Sequence, residues 1–96
     1  MSRKTELPIY SDEILRGVRD RLSRIEGQVR GVARMVEAQR RCVEVLNQLS
    51  SIEAALRGVS KTVLRNYLES CATEAIRSGD SEVYDEVMDV IFKFAR

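Results

Sequence analysis

Leu15, Val18, Leu22, Ile25, Val29, Val32 and Val36 follow one another in steps that alternate three and four residues. This is the a/d seam of a helix that packs along another helix, and it excludes a strand, whose inward side chains recur at every second position. Ser11 and Asp12 stand where an N-cap is wanted, with Glu13 in the first turn, where the helix dipole favours an acid. The polar run 37–41 (EAQRR) then breaks the seam and shifts its phase by one residue, with no Gly or Pro at the break. A second seam runs Val45, Leu49, Ile52, Leu56, Val59, Val63 and continues through Leu64, Tyr67 and Leu68, which predicts a helix from about Cys42 to Cys71 or a little beyond. Ser78, Gly79 and Asp80 signal a turn, and Asp80 or Ser81 caps a third helix carrying Val83, Tyr84, Val87, Met88, Val90, Ile91 and Phe94, with Lys93 and Arg96 near its end. The expected fold is all-α, three helices in one domain over residues 11–96, preceded by a flexible tail over 1–10 that Pro8 closes.

A chain of 96 residues buries a limited core, so self-association is an expected source of stability. No apolar run approaches the roughly 20 residues that span a bilayer, and the first ten residues lack the apolar stretch of a secretory signal. The expected location is the cytoplasm, where two cysteines are more often reduced, reactive or metal-binding than joined in a structural disulfide. With no histidine, no paired carboxylates in an evident pocket and no phosphate loop, enzymatic catalysis is not expected.

The net charge of +1 conceals two opposed regions. Arg16 to Arg41 holds eight arginines against Asp20, Glu26 and Glu37, whereas Asp80 to Asp89 holds five acids and no base. At about 100° per residue, Arg16, Arg19, Arg30 and Arg34 fall in one stripe beside the seam, with Arg21 and Arg24 on its far flank. Gly17, Gly27 and Gly31 occupy the face opposite the seam, each at a cost of about 1 kcal/mol relative to alanine. A surface for a polyanion and a merely solvated helix face are equal readings of this pattern; close approach of a neighbouring backbone or phosphate and simple tolerance are equal readings of the glycines.

Cys42 and Cys71 share one face of the second helix but lie ~44 Å apart at 1.5 Å per residue, far beyond the roughly 7 Å that a disulfide bridges. Antiparallel pairing of this helix with its own copy changes that. Positions summing to 113 then oppose one another: Cys42 faces Cys71 of the partner subunit, and Leu49–Leu64, Leu46–Tyr67 and Val45–Leu68 are likewise matched, while Ile52 against Lys61 fits less well. Each cysteine taken singly reads as a small buried hydrophobe; their common face and matched ends read as a sensor.

The stretch RLSRIEGQVRGVARMVE (21–37), Cys42, VLNQLSSIEAAL (45–56) and LESC (68–71) resembles the CsoR/RcnR family of bacterial repressors over residues 14 to 95, nearly the whole chain. The resemblance implies a three-helix protomer, an antiparallel dimer, a tetramer made of two dimers, and binding of operator DNA without a helix-turn-helix. Its copper-sensing branch implies a histidine at position 67 between the two cysteines; this chain has Tyr67, and a phenol is a poor ligand for a soft ion. The nickel and cobalt branch needs further histidines, and the formaldehyde-responsive branch a proline where this chain has Ser2. Two cysteines without the histidine are most similar to the CstR-type persulfide sensors, in which reactive sulfur species join the thiols across protomers and release the operator. On that reading Cys42 is the attacking thiolate, favoured by Arg40, Arg41 and the start of the second helix, and Cys71 the resolving thiol. Tyr67 covers the site, Glu86 corresponds to an outer acid of the copper branch, and no resident metal or cofactor is expected.

Family position places Arg21 first among DNA contacts, with Arg24 and the Arg16, Arg19, Arg30 and Arg34 stripe in support. Arg57, Lys61 and Arg65 form a second basic row, Arg57 standing in for the basic residue that relatives can have where this chain has Gly58. The alternatives are a Cu(I)-responsive repressor using the two thiolates alone, and a helical assembly protein with inert thiols.

Overall fold

The computed structural model describes residues 10–94, so the expected N-terminal tail, except its last residue, and Arg96 lie outside the described residues. Among these the chain is helical with no strand: α1 spans Asp12–Glu37, α2 Cys42–Tyr67, α3 Thr73–Ser78 and α4 Ser81–Phe94. Between α2 and α3, Leu68–Ala72 forms a π-helical turn flanked by right-handed helical residues at Tyr67 and Thr73. The second helical path therefore starts at Cys42 as periodicity predicts, but it runs on to Ser78, past the expected end near Cys71, and not as one α-helix. A π turn admits one extra residue and sets back the phase of all that follows by about 100°. Counting positions at a constant step cannot register it.

Residues 12–59 make one compact unit, in which α1 and the first part of α2 lie antiparallel: Val36 sits by Val45 and Leu46 at the closed end, and Ile25 by Ala55 and Gly58 further along. The seam of α1 divides. Ile25 and Val32 are buried and Val18 half-buried, whereas Leu15, Leu22, Val29 and Val36, every seventh residue, are 43–56% exposed. α2 divides in the same way, with Ile52 and Val59 buried and Leu49 and Leu56 exposed. An a/d seam has two flanks. Here one flank is used within the unit and the other is presented outward.

The link between the helices is a Schellman closure. Arg40 N–H donates to the Met35 carbonyl (3.0 Å) and Gln39 N–H to that of Val36 (3.0 Å), with Gln39 at φ 60° in the left-handed region. Glycine normally fills that position, which is why the polar run 37–41 marks the break in the sequence without the usual glycine. Residues 60 onward form the second unit, in which the π turn, α3 and α4 pack on one another and Val87 is buried. There the same device is legible: Gly79 takes φ 72°, the Asp80 carboxylate accepts from Glu82 N–H (3.0 Å) as the N-cap of α4, and Asp80 N–H donates to the Ser78 hydroxyl (3.2 Å).

A Cβ added at Gly17, Gly27, Gly31 or Gly58 would meet nothing within 4 Å. Close packing among the described residues is therefore not the reason for these glycines; approach by another surface, or tolerance, remains. No described helix is long and apolar enough to cross a membrane. Replacing Gln39 by glycine removes the steric penalty of the left-handed residue, set against the added freedom of the unfolded chain. Gln39→Gly is expected to stabilise by about 0.5–1 kcal/mol, measured as a rise of a few degrees in thermal midpoint at fixed protein concentration.

Candidate functional site

α2 begins on Cys42, and the Schellman turn delivers it there. Val45 N–H donates to the Arg41 carbonyl (3.2 Å), which closes the first turn and makes Arg41 the N-cap residue. Arginine offers no side-chain acceptor to the free N–H groups of that turn and adds positive charge to the positive end of the helix dipole, so it is a poor cap. Its effect falls on the neighbouring thiol. Cys42 is exposed, and it borders an open concavity lined by Val36, Gln39, Arg40, Val45 and Leu46.

The two arginines before Cys42 differ. Arg40 is tied to Glu44, with Nε and Nη2 each 2.9 Å from Oε1, and this pair spans the cysteine on the outside of the turn. Arg41 makes no ion pair among the described residues. The uncompensated charge beside Cys42 therefore belongs to Arg41 and the positive end of the α2 dipole.

Cys71 lies in the π turn, in the second unit. Tyr67 closes α2 just ahead of it, half-buried and engaged with a partner. Glu86 is exposed on α4. Among the described residues, no three His, Cys, Asp or Glu side chains come together as a metal-holding group within one protomer.

The basic residues separate by pairing. Arg30 is bound to Glu26 (3.5 Å) and Arg65 to Glu69 (3.2 Å), in exposed i,i+4 pairs of the kind worth about 0–1 kcal/mol and readily exchanged for another anion. Arg16, Arg19, Arg24, Arg34, Arg57 and Lys61 make no ion pair among the described residues, while Arg21 already has a partner. Arg21 and Arg24 of α1 line a shallow groove with Ile25, Gln28, Ala55 and Gly58, so within this unit the α1 arginines are brought against α2 at the glycine. Lys61 and Arg65 continue the row of Arg57 along α2. Sequence reasoning passed over Gln28, one turn beyond Arg24, and Glu44, one turn beyond Arg40; i,i+4 spacing reveals both.

Comparison with known proteins bears on this arrangement. Residues 16–93 match the family described as metal-sensitive transcriptional repressor. The copper-sensing transcriptional repressor CsoR of Bacillus subtilis is 44% identical over 80 residues, 82% of this chain and 79% of that protein. Among solved structures, the copper-sensing repressor CsoR with Cu(I) from Geobacillus thermodenitrificans superposes with a TM-score of 0.80 at 45% identity, covering 94% of each chain. The nickel-responsive transcriptional regulator InrS does so with a TM-score of 0.74 at 36% identity, covering 88% of this chain and 97% of its own.

Arg41→Ser is expected to stabilise the start of α2 by about 1 kcal/mol, while slowing iodoacetamide alkylation of Cys42 about two- to threefold. Thermal unfolding and peptide mass spectrometry read the two effects separately.

Proposed function

This chain belongs to the family of metal-sensitive transcriptional repressors, which are not enzymes, and we propose that it holds operator DNA until a soft inducer occupies Cys42 and Cys71. The observation that carries the copper reading is the likeness to a copper-sensing repressor along 94% of both chains. The donor chemistry agrees. Thiolates select soft Cu(I), which accepts few ligands, and a chain without histidine is poorly furnished for nickel. Cys42 of one protomer and Cys71 of the partner subunit would hold the ion, which supplies a soft, thiophilic link between two protomers. The exposed flanks of the α1 and α2 seams support the self-association this requires, since heptad-spaced apolar residues left in water favour a partner helix.

DNA is bound on this reading by the unpaired arginines of α1, with Arg21, Arg30, Arg57, Lys61 and Arg65 in support, through phosphate contacts that fix position. The protein acts in the cytoplasm, where its operator lies.

One observation favours a second inducer. The copper-sensing resemblance requires an imidazole at position 67, and this chain has Tyr67 and no histidine anywhere. A persulfide needs only thiols. The Cys42 thiolate attacks the sulfane sulfur of RSSH and releases RSH; Cys71 of the partner subunit then attacks Cys42 Sγ and expels hydrogen sulfide. In sum, two thiols and RSSH give one disulfide, RSH and H₂S.

Anaerobic titration of the reduced protein on duplex DNA from upstream of its own gene separates the two. Cu(I) is expected to weaken binding at least tenfold without change in protein mass, and Cys42→Ser and Cys71→Ser to abolish the response. Release by glutathione persulfide with a covalent Cys42–Cys71 dimer, and none by Cu(I), establishes the sulfur reading instead. No release by either removes both. Separately, Arg24→Gln is expected to lower affinity and to reduce the slope of log K against log salt by about 1.

A further inference from the structure

We propose that the groove between α1 and α2 seats one sugar-phosphate strand of duplex DNA, with Gln28 as a positioning residue that donates to a phosphate oxygen and Gly58 as the gap through which the strand approaches. This rests on the operator-binding reading above and says how that surface holds its ligand. The groove lies wholly within the first unit, lined by Arg21, Arg24, Ile25 and Gln28 of α1 and by Ala55 and Gly58 of α2. Three of its features have no explanation inside the protomer. Glycine within a helix is less favourable than alanine, yet a Cβ at Gly58 would meet nothing within 4 Å. Gln28 is half-buried, but its side-chain amide makes no hydrogen bond among the described residues. Arg24, one turn before it, makes no ion pair among them.

One ligand accounts for all three. It is anionic, to meet the guanidinium; it accepts a hydrogen bond from a neutral amide; and it has an apolar part to lie against Ile25 and Ala55. A phosphodiester joined to deoxyribose has each property. Shape selects the same part of the duplex. Base edges lie at the bottom of the DNA grooves and are read by an element that protrudes, whereas a concave surface receives what stands out, the backbone. A side chain at position 58 would stand between that strand and α2. A second copy of this chain is the rival occupant, but its natural place is elsewhere. At about 100° per residue, Arg21, Arg24 and Gln28 fall on one side of the buried Ile25–Val32 line, and the exposed apolar Leu22 and Val29 on the other.

The test uses the full-length protein, with affinity for operator duplex and for a scrambled duplex measured over a salt series and assembly followed by sedimentation. Gly58→Leu is expected to melt at or above the wild-type temperature and to keep the wild-type assembly. It should bind both duplexes at least fivefold more weakly, and by the same factor within twofold, because a backbone contact carries no sequence. Gln28→Ala is expected to weaken both about threefold and to leave the slope of log K against log salt unchanged, since a neutral donor displaces no counterion. A folded Gly58→Leu that weakens binding less than fivefold overturns the proposal. So does one whose assembly changes, which makes a second copy the occupant. A loss confined to the operator duplex in Gln28→Ala also overturns it, assigning the amide to a base edge. Should Gly58→Leu fail to fold, Gln28→Glu decides: its carboxylate, one turn from Arg24, repels phosphate and must weaken binding at least tenfold. If wild type binds neither duplex at low salt, the operator-binding reading is what fails, and the DNA seat with it.

Discussion

Everything in the first unit depends on the apolar line that α1 and α2 bury together, Ile25 and Val32 on one helix and Ile52 and Val59 on the other. Burial of such side chains is worth about 1.5–3 kcal/mol each, and among the described residues Val87 is the one other buried hydrophobe. None of the five is wholly removed from solvent. Heptad spacing makes the constraint sharper, because turning one flank of each seam inward leaves Leu15, Leu22, Val29 and Val36, and with them Leu49 and Leu56, facing out. The protomer is thus unfinished as a hydrophobic object, and a partner that completes it is the economical solution.

The same hairpin creates the chemistry at Cys42. Closing α1 through a left-handed Gln39 lets α2 begin at the cysteine, with Arg41 in the capping place. Three local choices run against stability: glutamine where glycine is easier, arginine where serine or aspartate caps better, and asparagine on an apolar line at Asn66. Two of them border Cys42, and the third precedes the turn that carries Cys71.

The scaffold and the donor atoms of this chain point to different inducers. Residue chemistry alone, with Tyr67 in place of an imidazole, favours sulfur; likeness to copper-sensing repressors along nearly the whole chain favours Cu(I). Overall likeness reports the scaffold that carries a signal, whereas donor atoms report what the site accepts. Both inducers need the same two thiols, so the scaffold argument stands for either.

The helices, the turn at Gly79, the cap at Asp80 and the start of α2 at Cys42 were legible in the residues, because hydrophobic periodicity and turn chemistry act over one or two helical turns. The family, too, was legible in the arginine, glycine and cysteine pattern. Three things needed the folded chain. Which flank of each seam turns inward depends on how two helices meet, and both flanks are equally apolar. Which arginines are already paired depends on rotamers, so Arg40 and Arg41, alike in sequence, separate into a neutralised and a free charge. The π turn that contains Cys71 depends on backbone hydrogen bonds closing one residue later than usual, which residue spacing does not record.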